Sequence, residues 1–141
     1  MLSHALSRRR ERRKEILDLC GNLKALADEA VEAANEAWLC EGEKDRLLKI
    51  HETKGRIQTI GIAATTLRRR STGRLAGLRE LIGRKQSIDV REQVALLRRA
   101  ATQDPFEEPD RKPDATKLGD IALARSKIHY GLDSAFNDVF G

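Results

Sequence analysis

From Ile16 to Trp38 the apolar side chains fall at Ile16, Cys20, Leu23, Ala27, Ala30, Ala34 and Trp38. Steps of three and four residues keep such positions on one stripe of an α-helix, because neighbours at i+3 and i+4 share a face. Asp18, Lys24, Asp28, Glu29, Glu32 and Glu36 lie between them and make the opposite, polar face. The pattern predicts one long helix from about Ser7 to Leu39, ended by a turn at Glu41-Gly42-Glu43. A second stripe follows at Leu47, Ile50, Ile57, Ile60, Ala64 and Leu67, then Leu75, Leu78 and Ile82. Two striped helices joined by a short turn must cover each other, which predicts an antiparallel hairpin. Gly61, Gly73 and Gly77 weaken the second helix, and a kink or break is expected near Ser71-Thr72-Gly73. After a connection at Gly83-Arg84-Lys85-Gln86, a shorter helix is expected over Ile88–Ala101. Ser87 would be its N-cap, with Val90, Val94, Leu97 and Ala101 facing inward.

Thr102 to Thr116 contains all three prolines, Pro105, Pro109 and Pro113, interleaved with acids and a lysine. Proline at every fourth residue forbids a helix and favours an extended linker, which could reach ~45 Å. Helical spacing then resumes at Leu118, Ile121, Ile128, Leu132 and Phe136, ending at Val139-Phe140. The expected fold class is all-α: a long antiparallel helical hairpin or bundle with a C-terminal helical arm. Its organisation would be a hairpin plus third helix over 1–102, a Pro-rich acidic linker over 103–117 and an amphipathic arm over 118–141. Such an arm either folds back on its own bundle or docks on a neighbouring subunit. In the second case Leu132, Phe136 and Phe140 would be the docking side chains.

Composition agrees with helices. Ala, Leu, Glu, Arg and Lys dominate, strand formers are thin, and 40% hydrophobic residues are too many for a disordered tail. No apolar run approaches the ~18 residues of a membrane span, and the N-terminus lacks the apolar core of a signal peptide, so a soluble, cytoplasmic protein is expected. Cys20 and Cys40 on one helix would sit ~30 Å apart and could not bridge. With His4, His51 and His129 scattered, no metal-ligand spacing exists, and neither a metal nor a cofactor is expected. Gly73-Arg74-Leu75-Ala76-Gly77 lacks the Lys-Ser/Thr ending of a phosphate loop. The reading is therefore non-enzymatic.

The net charge of +5 hides a strong asymmetry. Residues 1–14 hold six bases and one acid, residues 15–46 three bases and nine acids, residues 47–99 thirteen bases and four acids, and residues 100–141 five bases and eight acids. Part of this is explained if the acidic first helix pairs with the basic second one along the hairpin edges. Arg8-Arg9-Arg10, Arg12-Arg13 and Arg68-Arg69-Arg70 are harder to absorb, because consecutive residues diverge by ~100° around a helix. Arg74, Arg84-Lys85 and Arg98-Arg99 extend the basic set. Guanidinium forks match phosphate oxygens bidentately, so these thirteen residues are the candidate contacts to a DNA or RNA backbone. Aromatics are 4% of the chain, which leaves few stacking platforms and points to binding that ignores base sequence.

Residues 42–61 read GEKDRLLKIHETKGRIQTIG. Over this short stretch the sequence resembles the phosphoacceptor helix of histidine-phosphotransfer domains: His51, Lys54, Gly55 and Ile60-Gly61 match its spacing, and Leu47-Leu48 and Ile50 match the apolar positions before the histidine. The resemblance implies that His51 would accept a phosphoryl group, with Lys54 helping to hold it and Gly55, one turn on, clearing space for a partner. Thr53, Arg56 and Ile57 depart from the pattern, which usually has Leu before the Lys-Gly pair and small residues after it.

Three functions thus follow from the sequence. The first is a non-enzymatic, backbone-directed nucleic-acid-binding subunit of a larger homo- or hetero-oligomeric assembly. In size and charge alone the chain resembles small helical subunits of CRISPR effector complexes and phage packaging machines. The second is a histidine-phosphotransfer module acting through His51. The third is a structural adaptor that meets protein partners through its basic faces and C-terminal arm.

Overall fold

The computed structural model describes residues 2–72 and 87–141. Helix α1 runs from Leu2 to Leu39, α2 from Glu43 to Ser71, α3 from Arg91 to Thr102 and α4 from Lys117 to Phe140, and no strand occurs among the described residues. The fold is all-α. Consecutive described helices pack on each other and α4 closes back on α1, so the four helices among the described residues run up-down-up-down in a bundle.

The α1–α2 hairpin follows a heptad rule. In α2 the inward residues are Arg46, Ile50, Thr53, Ile57, Ile60, Ala64, Leu67 and Ser71, spaced alternately by four and three. The facing stripe of α1 holds Ile16, Cys20, Leu23, Ala27, Ala30, Ala34 and Ala37, with Trp38 beside it. Such alternation is the signature of knobs-into-holes packing. Small Ala27, Ala30, Ala33, Ala34 and Ala37 let the helix axes approach closely toward the turn. Lys49–Glu36 at 2.5 Å, Arg56–Glu29 at 2.8 Å and Arg70–Glu15 at 3.4 Å lie along the edges and fix the antiparallel direction. Helix α4 is held to α1 by Lys24–Asp133 at 2.6 Å and by Asp28, which lies 2.9 Å from the ring of His129.

Several sequence expectations change. Leu47 is 54% exposed, because Arg46 takes the inward position and donates to the Glu108 carbonyl at 2.9 Å. Helix α3 begins at Arg91, with Val90 rather than Ser87 at the cap position. Asp89 Oδ1 instead accepts the Arg91 N–H at 3.1 Å. The break expected after Ser71 is present, since Thr72 is extended. Gly73, Leu75, Gly77, Leu78 and Ile82 lie outside the described residues.

The Pro-rich segment is not an extended linker. It turns back across the end of the bundle and buries Phe106 completely against Trp38, with ring centroids 5.1 Å apart. The Asp104–Pro105 bond is cis. Arg111 lies 4.4 Å over the Trp38 ring and donates to the carbonyls of Ala37 and Trp38 at 2.9 and 3.3 Å. It thereby caps the last turn of α1, whose carbonyls have no partner within the helix. The indole N–H of Trp38 donates to the Ala101 carbonyl at 2.8 Å, tying α1 to α3. So fastened, the C-terminal arm packs on its own chain: Leu132 and Phe136 are buried, and Phe140 is half-buried against Phe136 at 5.0 Å.

Candidate nucleic-acid interface

The up-down topology brings the start of α1, the end of α2, the start of α3 and the end of α4 to one end of the bundle. Four contacts locate it: Arg12 Nη2 donates to the Ser71 carbonyl at 3.3 Å, and the Ile88 N–H donates to Ser71 Oγ at 2.8 Å. Arg68 pairs with Asp89 at 3.5 Å, and Arg13 lies 5.9 Å over the Phe136 ring. Two arginine clusters far apart in sequence are thus neighbours. The opposite end holds Glu41, Glu43, Glu107, Glu108, Asp110 and Asp114 around the Trp38–Phe106 pair, so the bundle carries opposite charge excesses at its two ends.

Within the basic end the arginines differ in what they meet. Arg68, Arg69 and Arg70 diverge as helical geometry requires: Arg68 turns to Asp89 ahead of α3, Arg70 to Glu15 on α1, and Arg69 is exposed at the rim of the cleft between α2 and α3. Arg8, Arg9, Arg10 and Arg69 are exposed and make no ion pair with a described residue. Arg12 is half-buried through its bond to Ser71, and Arg13 is exposed above Phe136. Arg74, Arg84 and Lys85 lie outside the described residues. Arg98 and Arg99 sit seven and eight residues along α3 from Arg91, about 10 Å down the bundle axis at 1.5 Å per residue, and neither makes an ion pair with a described residue.

The structure adds Arg91 to the set. Its guanidinium binds Asp89 through Nε at 2.9 Å and Nη2 at 2.8 Å. These bonds hold the Asp89 carboxyl below the usual carboxylate range, despite the opposing effect of partial burial. Placing the cap at Ser87 hid this pair, since it put Arg91 a full turn inside the helix. Arg69, Arg91 and Arg98 together border a groove of about 510 Å³ between α2 and α3, and no carboxylate occurs among the described residues lining it.

The second candidate site is elsewhere. His51 is exposed in the first third of α2, and a Cβ built on Gly55 would meet nothing within 4 Å. Lys54 pairs with Glu107 of the Pro-rich segment, the strap across the end of the bundle, rather than standing free. Thr53 is fully buried and donates its hydroxyl to the Lys49 carbonyl at 2.7 Å, so it fills a core position where the phosphotransfer pattern has Leu. Among the described residues no group of three or more His, Cys, Asp or Glu could hold a metal, and no helix is long and apolar enough to cross a membrane. Comparison with protein-family models, with curated proteins and with solved structures finds no match.

Proposed function

We propose that the chain is a non-enzymatic subunit that binds the phosphate backbone of DNA or RNA through the basic end of its bundle. What supports this reading is that Arg8, Arg9, Arg10 and Arg69, carried on the ends of α1 and α2 that meet at Arg12 and Ser71, are exposed and make no ion pair with a described residue. Hairpin edge pairing accounts for Lys49, Arg56 and Arg70, but not for these four. Their arrangement also costs stability. Arg8–Arg12, Arg9–Arg13 and Arg10–Lys14 are like-charge pairs at i,i+4, each unfavourable by ~0.2–0.5 kcal/mol in an isolated helix. A polyanion that releases its counterions on meeting them offsets that repulsion. With no aromatic ring among the four contacts, binding is directed at phosphates and indifferent to base sequence. Membership of a larger nucleoprotein assembly, of phage or CRISPR type, rests on size and charge.

The test is a triple variant, Arg8→Gln/Arg9→Gln/Arg10→Gln, beside a control with Glu107→Gln/Glu108→Gln/Asp110→Asn at the acidic end. Fluorescence anisotropy with duplex DNA should show at least about tenfold weaker binding for the first and no weakening for the second. Equal affinities of the basic-end variant and the wild type would refute the proposal.

A second reading, histidine phosphotransfer, is favoured by the exposure of His51 beside exposed Leu47 and Leu48 and the open space at Gly55. Acetyl phosphate or a phosphorylated receiver domain should then label the wild type and not His51→Gln, and no label on the wild type across several receivers would sink it.

A further inference from the structure

Resting on the backbone-binding reading, we infer that the groove between α2 and α3 is a track for single-stranded nucleic acid, continuous with the basic end. Arg69 belongs to both, as one of the three consecutive arginines ending α2 and as a lining residue of the groove. From there the groove follows α3 past Arg91 to Arg98, about 10 Å further along the axis. Asp89 occupies Arg91 and Arg68, which leaves Arg69 and Arg98, at the two ends of the groove, as cations with no ion pair to a described residue. Phosphates of one strand can occupy both in turn.

The surface between them is not polar throughout. Ile62 is 63% exposed, and Val94 and Ala95 also line the groove. Gly61 keeps the α2 side low: a Cβ there would lie 3.7 Å from Arg98 Nη2, so the guanidinium lies close against the α2 backbone. Thr65 spends its hydroxyl proton on the Gly61 carbonyl at 3.1 Å. Its oxygen is left to act toward a ligand only as an acceptor. Cations at the ends, apolar surface between and the polar side chains of Gln58, Thr65 and Thr66 suit a sugar–phosphate segment whose sugar or base face rests on aliphatic carbon and guanidinium.

Size selects the single strand. Helices in contact have axes ~8–10 Å apart, so the cleft between two of them is narrow. A duplex keeps its bases stacked inside a stiff cylinder, so it cannot lay a sugar or base face along such a cleft while its phosphates meet Arg69 and Arg98 in turn. A duplex can reach only the convex basic end, whereas a single strand reaches the basic end and the groove together.

Anisotropy with a fluorescein-labelled thymidine 20-mer, the matching uridine 20-mer and a 20-base-pair duplex tests this on the full chain. The wild type should bind the single strands more tightly than the duplex. Arg98→Glu, at an exposed site, should weaken both single strands at least about tenfold and leave duplex affinity within twofold. Ile62→Asp should act in the same direction, and circular dichroism should show native helicity for both variants. Equal affinity of the wild type for strand and duplex, equal losses on both, or no loss on the single strands would overturn the groove assignment. The basic-end reading is judged separately, by whether Arg8→Gln/Arg9→Gln/Arg10→Gln weakens duplex binding.

Discussion

Replacing Phe106 with Ala probes the strap that turns an apparent linker into part of the core. The side chain is fully buried, its ring packs against Trp38 at 5.1 Å and a tilt of 46°, and Arg111 lies 5.7 Å from its centroid. Truncating a buried Phe costs about 3–5 kcal/mol through lost transfer energy and the cavity left behind. The tilted ring pair adds ~0.5–1.5 kcal/mol, part of which is already within that range. For a chain of 141 residues such a loss lowers Tm by roughly 10–20 °C. Arg111 would keep its bonds to the Ala37 and Trp38 carbonyls, so the damage should stay at that end and helix content at low temperature should remain native. Thermal and urea unfolding followed by far-UV circular dichroism measures the loss, and Trp38 fluorescence should shift to longer wavelength as water reaches the indole. An extended, solvated linker would make Phe106 a surface residue, whose substitution changes stability by less than about 0.5 kcal/mol. A change that small would refute the packing described for this segment.

Other consequences can be checked with simple chemistry. Burial pushes the Cys20 thiol up to about 11, against the lowering effect of Lys24, so iodoacetamide at neutral pH should alkylate the half-buried Cys40 and leave Cys20 intact until the chain unfolds. The double change Phe136→Ala/Phe140→Ala should lower Tm with no change in the mass measured by light scattering, because both rings pack within one chain; a changed mass would mean that the arm docks in trans. The Asp89 carboxyl is held low by Arg91, so its contribution to stability is fully present above the unfolded value near pH 4 and is lost as pH falls through the lower folded value. Asp89→Asn should therefore flatten the fall in urea midpoint between about pH 5 and pH 2, and an unchanged slope would count against the pair.

Elements fixed by local periodicity were legible in the sequence. Ile16, Cys20, Leu23, Ala27, Ala30, Ala34 and Trp38 are all buried, as their spacing requires, and so are Val90, Val94, Leu97 and Ala101. What periodicity missed depends on partners distant in sequence. Arg46, Thr53 and Ser71 occupy inward heptad positions because Glu108, Lys49 and Ile88 satisfy their polar atoms, whereas a hydrophobic count assigned the first of these places to Leu47. Proline spacing correctly excludes a helix after Thr102, but carries no sign that Phe106 and Arg111 will clamp Trp38, some seventy residues earlier. Clustered arginines were visible as runs. Their convergence follows only from the up-down topology, and the groove at Arg69, Arg91 and Arg98 required the register of α3 against α2.

The salt dependence of duplex DNA binding tests the central claim most directly. With Arg8, Arg9, Arg10 and Arg69 as contacts, about four phosphates are neutralised, so log K against log salt should fall with a slope near −4. Affinity should then drop about a hundredfold between 50 and 200 mM salt. No binding at the lowest salt, or an affinity unchanged over that range, would contradict the assignment of the basic end as a phosphate-binding surface.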